Sequence, residues 1–192
     1  PQFEGREGKV VGVAIGYSEE DASYYPTAHE TGSNVENPDK FYDRLRDEAK
    51  NFEGEIVGAN LQYDLDWLRA RHGIQFPKAK FRDVQIAEPL IDENRMTYKL
   101  GALTKKYLNK RKQDDGLQEL YGKGYIENMH LVHPGHAAEY GEGDVTLPWQ
   151  VMDKQQVVME DDGLIDLFHM ESSVTPLLLE MRAQGVRIDL DK

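Results

Sequence analysis

The chain has 192 residues, 39% of them hydrophobic and 30% charged, which is enough to bury a substantial core in one domain of ordinary size and too little for two full domains. It carries no cysteine, so disulfides and thiolate metal sites are excluded and any metal must be held by oxygen or imidazole. A formal charge of -12 excludes a protein that coats nucleic acid through many Lys and Arg contacts, though not an enzyme whose acidic residues hold cations; no apolar run is long enough to cross a membrane.

In chain order, PQFEGREG is polar and glycine-rich, and KVVGVAIGY (Lys9 to Tyr17) then reads as a strand that turns through SEEDAS into an antiparallel partner, Tyr24 to Ala28. The His29-Glu30 pair that follows reads as part of a surface loop. Asn37-Pro38-Asp39 opens a helix, with Asn as cap, Pro in the first position and Phe41, Leu45, Ala49 and Phe52 as its apolar stripe. Ile56 to Ala59 predicts a short buried strand ending at Asn60, a capping residue for a second helix whose inward stripe is Leu61, Leu65 and Leu68. Asp64 lies one turn from Asn60 on the edge of that stripe, near the carboxyl end of a strand, where open α/β sheets bind ligands. Taken singly, N-x-x-x-D reads first as a solvated helix aspartate.

Beyond a connector ending near Pro77, FRDVQIAEPLI puts Val84, Ala87 and Ile91 on one helical face with Asp83 as cap. Leu100, Leu103, Tyr107 and Leu108 make a further amphipathic segment, which ends in KKYLNKRK (Lys105 to Lys112), five of whose eight positions are basic. That run is a solvated face or a contact for a nucleic-acid backbone. Gly116 to Pro134 reads as loops and one short helix. HAAEYGEGDVTLPWQVMDKQQVVM predicts a helix with Tyr140, Asp144, Leu147 and Val151 on one face, weakened by two glycines and by Pro148, at which a kink is expected. Leu164, Leu167 and Phe168, then Leu177, Leu178 and Met181, predict a last helical region interrupted at Pro176 and capped by Gly185.

The segments IVGANLQYD, FRDVQIAEPLI, YKLGALTKKYL, AAEYGEGD and LLLEMRAQGVRID, in this order, resemble the proofreading 3′-5′ exonuclease domain of family A DNA polymerases, the DNA polymerase I group with its phage relatives. The resemblance covers nearly the whole chain. Asn60 and Asp64 match the second exonuclease motif, and Tyr140 with Asp144 the third in its Y-x-x-x-D form; the histidine form would need His where Glu139 stands. The first motif, Asp-x-Glu on a strand ahead of Lys9, has no match, since Pro1 to Lys9 contains no D-x-E and Phe3-Glu4 is no substitute. The chain is therefore expected to start just after the first motif and to lack the strand that bears it.

The resemblance implies a ribonuclease H-like α/β fold, a mixed sheet flanked by helices, with residues 1–162 as the exonuclease domain and 163–192 as the helical connection to a polymerase domain. It implies two divalent ions, Mg²⁺ or Mn²⁺. Asp144 would hold the ion that activates water, together with the missing Asp and Glu, and Asp64 would serve the second ion. Tyr140 would orient the attacking water and Asn60 the terminal nucleotide, with Tyr107, Lys105 and Lys106 as candidate contacts to the single strand. The implied partners are a single-stranded DNA 3′ end and the polymerase domain of the same parent, in the cytoplasm of a bacterial or phage-infected cell. The fragment itself is expected to be inactive. Two other readings remain open: an RNA 3′ exonuclease of the ribonuclease D type, and a catalytically dead exonuclease-like spacer in a polymerase.

Overall fold

The computed structural model describes residues 8–110 and 114–186. The readings placed on Pro1 to Glu7, on Arg111 and Lys112, and on the terminal RIDLDK therefore lie outside the described residues.

The first strands form a hairpin, β1 (Gly12–Gly16) antiparallel to β2 (Ala22–Pro26), with Ala14 opposite Tyr24. The turn closes where the Tyr17 amide donates to the Asp21 carbonyl at 2.8 Å and the Asp21 amide donates to Ser18 Oγ at 3.0 Å. Helix α1 (Pro38–Asn51) starts as the sequence predicts, with the Lys40 amide donating to Asn37 Oδ1 at 2.9 Å and Pro38 in the first turn. It buries Tyr42 and Ala49, and the Tyr42 ring lies flat on His72 at 3.4 Å.

A β-α-β unit follows. β3 (Glu55–Gly58) and β4 (Lys80–Asp83) are parallel, and helix α2 (Leu61–His72) connects them. At the C-terminus of α2, Gly73 takes φ 63°, a left-handed conformation that costs glycine little. Helix α3 (Val84–Ile91) springs directly from β4, and α4 (Leu100–Leu108) and α5 (Asp114–Tyr121) follow. After a 3-10 turn at Met129–Leu131 comes the long helix α6 (Pro134–Asp161), then α7 (Ile165–Ser173) and α8 (Thr175–Gln184).

Among the described residues the strands form two separate two-stranded sheets rather than one mixed sheet. Both lie against α6, which packs on β1, β2 and β3. At 28 residues α6 spans about 42 Å, and it runs unbroken through Pro148. Gly141 has a packing reason: a Cβ there would sit 3.2 Å from the Tyr24 ring and 3.3 Å from Ala14 Cβ, so glycine lets the helix approach the hairpin. The main core gathers Val84, Ala87, Leu100, Leu103, Val151, Met152, Met159 and Phe168 from α3, α4, α6 and α7. A second cluster joins Leu61, Leu65 and Phe81 to Leu179, which fixes α8 against α2. Each of these Val, Leu, Met and Phe side chains contributes roughly 1.5–3 kcal/mol by leaving water, and Ala87 less. Pairs Arg69–Glu180 (2.6 Å) and Arg182–Asp66 (3.0 Å) add to the α2–α8 contact.

His29 corrects the loop reading. It is only 6% exposed, with Nδ1 bonded to the Val132 carbonyl at 2.7 Å and Nε2 to the Tyr24 hydroxyl at 2.7 Å, so it ties the hairpin to the segment before α6. Its partner in sequence, Glu30, is exposed as expected. No helix among the described residues is long and apolar enough to cross a membrane.

Candidate functional site

The site is built where α2 leaves β3 and faces α6. Asn60 stands at the turn between strand and helix in the left-handed region, φ 61° and ψ 44°. Asparagine is one of the few residues that enters this region at modest cost. The sequence assigns Asn60 the cap of α2, but its side chain makes no capping hydrogen bond. Asp83 takes over that duty from the end of β4. Its carboxylate accepts from the amides of Asn60 at 3.1 Å, Leu61 at 2.8 Å and Gln85 at 2.8 Å, which caps both α2 and α3. The two helix starts are thereby locked to one buried side chain, and the Asn60 side chain is left on the exposed side of the turn.

Asp64 follows one turn later. Its side chain is open to water on one side, while the protein around the rest of it removes enough solvent to be the largest cause of a carboxyl pushed up to about 6. The negative charge of Asp144 on α6 raises it next, followed by that of Asp83. Asp64 and Asp144, 80 positions apart in the chain, are thus brought within electrostatic reach of each other. Asp83 is raised by burial and lowered by its three amide donors. With both oxygens engaged, Asp83 is a fixed structural anion beside the pair rather than a third open ligand.

Tyr140 lies one turn before Asp144 on α6, half-buried, its ring edge-on to Tyr125 at 6.1 Å. Among the described residues no three His, Asp or Glu side chains converge closely enough to hold a metal ion. What they offer is a pair of oxygen donors. A shallow depression along α1, between Lys40 and Phe52, shares no residue with this site and is lined by one solvated helix face.

The candidate strand contacts near residue 106 have another occupation. The Tyr107 hydroxyl donates to Glu88 Oε2 at 2.7 Å and Lys106 Nζ to Glu88 Oε1 at 2.8 Å, while Arg95 approaches Glu88 at 3.4 Å and Gln155 donates to it at 2.8 Å. Glu88 is fully buried. Burial, and then Glu88, push the Tyr107 phenol well above its usual range. Gln155 stands eleven residues beyond Asp144 on α6, so this hub lies about 16 Å along the helix from the carboxylate pair. Lys105 bonds Asn109 Oδ1 at 2.7 Å on the surface.

Sequence reasoning missed a ladder on α2 next to Asp64. Tyr63, 51% exposed, meets Trp67 edge-on at 6.3 Å, and the Arg71 guanidinium lies over the Trp67 ring at 5.7 Å. The signal was the spacing of two aromatics and a cation at i, i+4 and i+8, which places them along one side of a helix.

No family model matches the chain. A DNA-directed DNA polymerase of Pseudomonas phage M6 is 33% identical over 187 residues, 95% of this chain and 28% of the relative. The DNA polymerase DpoZ of Acinetobacter phage SH-Ab 15497 is 28% identical over 192 residues, 96% of this chain and 29% of the relative. A solved structure described as the apo form of a nuclease superposes with a TM-score of 0.65 at 15% identity, covering 97% of this chain and 83% of that one. At that identity the likeness is one of fold. The chain spans under a third of the length of these curated polymerases. It is similar to a segment of phage DNA polymerases and shares its mixed α/β fold with a nuclease.

Proposed function

We propose that this chain is the 3′-5′ exonuclease domain of a family A, phage-type DNA polymerase, removing 3′-terminal nucleotides for proofreading with divalent metal ions. The observation that supports the reading is the electrostatic influence of Asp144 on α6 upon Asp64 on α2, two motif carboxylates from different helices. A carboxyl pushed up to about 6 first by burial and then by the charge of Asp144 is one whose ionised form a bound cation would favour.

The donor set fits magnesium or manganese in kind: carboxylate oxygens, no thiolates, and no imidazole at the pair. It is short in number, since Asp83 is committed to three amides. The two small sheets bear on this. β1 and β3 both lie against α6 without pairing to each other among the described residues, and a strand bearing two further carboxylates between them would join the halves into one mixed sheet.

Bound divalent ions would neutralise charge on the scissile phosphodiester and acidify a water. Asp144 and Asp64 would hold them. Tyr140 would orient the attacking water through its hydroxyl, a phenol being a weak base. Asn60, with its side chain relieved of capping, would position the terminal nucleotide. Tyr63, Trp67 and Arg71 offer the sequence-tolerant stacking surface that a single strand requires, beside Asp64 and in preference to the Tyr107 region.

The test is an end-label experiment on the full-length parent with single-stranded DNA. Loss of a 3′ label in Mg²⁺ or Mn²⁺, with a 5′ label retained on shortening products and no reaction in chelator, is the expected result. Cleavage from the 5′ end, or undiminished activity in chelator, would overturn the proposal.

A further inference from the structure

Helices α7 and α8 carry two stripes on different sides. The inward one is Phe168, Ser172, Thr175 and Leu179, all buried, continuing to Arg182, which pairs with Asp66 of α2. The outward one is apolar: Leu167 at 38% exposed, Met170 at 56%, Leu177 at 59% and Met181 at 58%, with half-buried Val174 in the middle and Leu178 at 39% beside it. Leu167, Met170, Val174, Leu177 and Met181 are spaced three, four, three and four residues apart, the a/d repeat of a seam that receives another helix. The junction does not break it, because Val174 keeps helical backbone angles of -76° and -20°.

A soluble surface rarely leaves so continuous an apolar row uncovered. The rim of this one is acidic. As far as Met181, α7 and α8 carry Asp166, Glu171 and Glu180 and no Lys or Arg; Glu180 already pairs with Arg69 of α2, which leaves Asp166 and Glu171 to flank the row. The similar phage polymerases extend far beyond the matched region, which is 28 and 29% of their length.

We infer that the outward stripe of α7 and α8 is a docking seam for an amphipathic helix of the parent polymerase outside this chain, apolar along its centre and basic along its rim. This rests on the reading of the chain as one domain of a larger polymerase. The apolar a/d row supplies the contact area, and the acidic rim selects a basic partner and sets its register.

Methionine oxidation tests it on the full-length parent. Met170 and Met181 lie in the seam, while Met96, 99% exposed, lies outside it and serves as the internal reference. With brief peroxide treatment and peptide mass spectrometry, Met170 and Met181 are expected to oxidise at least about fivefold more slowly than Met96. Leu177→Glu, at an exposed position, is expected to bring their rates up towards that of Met96. Oxidation of Met170 and Met181 at the Met96 rate in the unaltered parent would overturn the seam, and so would protection that vanishes on dilution with dissociation of a dimer, which would assign it to a second copy. Neither readout depends on nuclease activity: an inactive parent with protected methionines would sink the exonuclease reading and leave the seam standing.

Discussion

The Asp83 carboxylate accepts the amide of Asn60 at 3.1 Å, so the turn that presents Asn60 is held by a residue 23 positions later, from the neighbouring strand. Asp83 is 4% exposed and also holds Leu61 and Gln85, so its loss would orphan three amides at two helix starts. Asp83→Ala is expected to destabilise the chain by about 2 to 4 kcal/mol, measured as the shift in a denaturant-unfolding midpoint. Asp83→Asn, which keeps an acceptor, should lose less. A shift under half a kcal/mol for the alanine variant would contradict the double-capping role.

Asp64 should make stability depend on pH in the opposite sense to a paired carboxylate. Its folded value of about 6 lies above the ordinary aspartate value near 4, so the folded state holds the proton more tightly. Its contribution therefore falls as pH rises from about 4 through about 6, and the penalty is fully present above that window. Asp64→Asn is expected to stabilise the chain at pH 7.5 by about 1 kcal/mol, a figure reduced for the water that reaches this side chain, and to leave it unchanged near pH 4. Denaturant melts across this range decide it; equal shifts at both ends would remove the coupling.

Glu88 is the structural counterpart of that pair. It is fully buried and touched by Lys106, Tyr107, Arg95 and Gln155. Glu88→Ala is expected to cost about 3 to 5 kcal/mol, because it leaves cationic partners without their counterion in the interior. Tyr107→Phe removes one hydrogen bond to a charge and should cost about 1.5 to 3 kcal/mol. If Tyr107→Phe instead leaves stability untouched and weakens DNA binding, the earlier assignment of Tyr107 to the substrate regains its place.

The ladder on α2 predicts a binding defect separate from chemistry. Tyr63→Ala and Trp67→Ala in the parent are each expected to weaken single-stranded DNA binding by about 1 to 3 kcal/mol, roughly 5- to 150-fold, read by fluorescence anisotropy. Lys105→Ala, at a surface lysine bonded to Asn109, should change it far less. The reverse ranking would move the strand path to α4.

What was legible in the sequence follows the range of the interactions involved. The hairpin, the Asn37 cap, the Asp83 cap of α3 and the Gly185 terminus were readable because turn and cap chemistry is local. The Asn60 cap misled: N-x-x-x-D before an apolar stripe looks self-sufficient, yet the acceptor comes from another strand. His29 escaped for the same reason, its carbonyl partner being 103 residues away. Glu88 drew no notice because it reads as an ordinary helix glutamate until residues 18, 19 and 67 positions distant surround it. Of the candidate site, Asp64 and Asp144 do come within electrostatic reach, 80 positions apart in the chain.

The most direct test of the central claim is the rate of 3′-terminal nucleotide release from single-stranded DNA by the full-length parent in Mg²⁺, with and without Asp144→Ala. Removing one of the two carboxylates proposed to hold the ions is expected to abolish release, a loss of at least about a thousandfold, with unfolding stability unchanged or improved as repulsion on Asp64 is relieved. Full release by the folded Asp144→Ala protein would contradict the account.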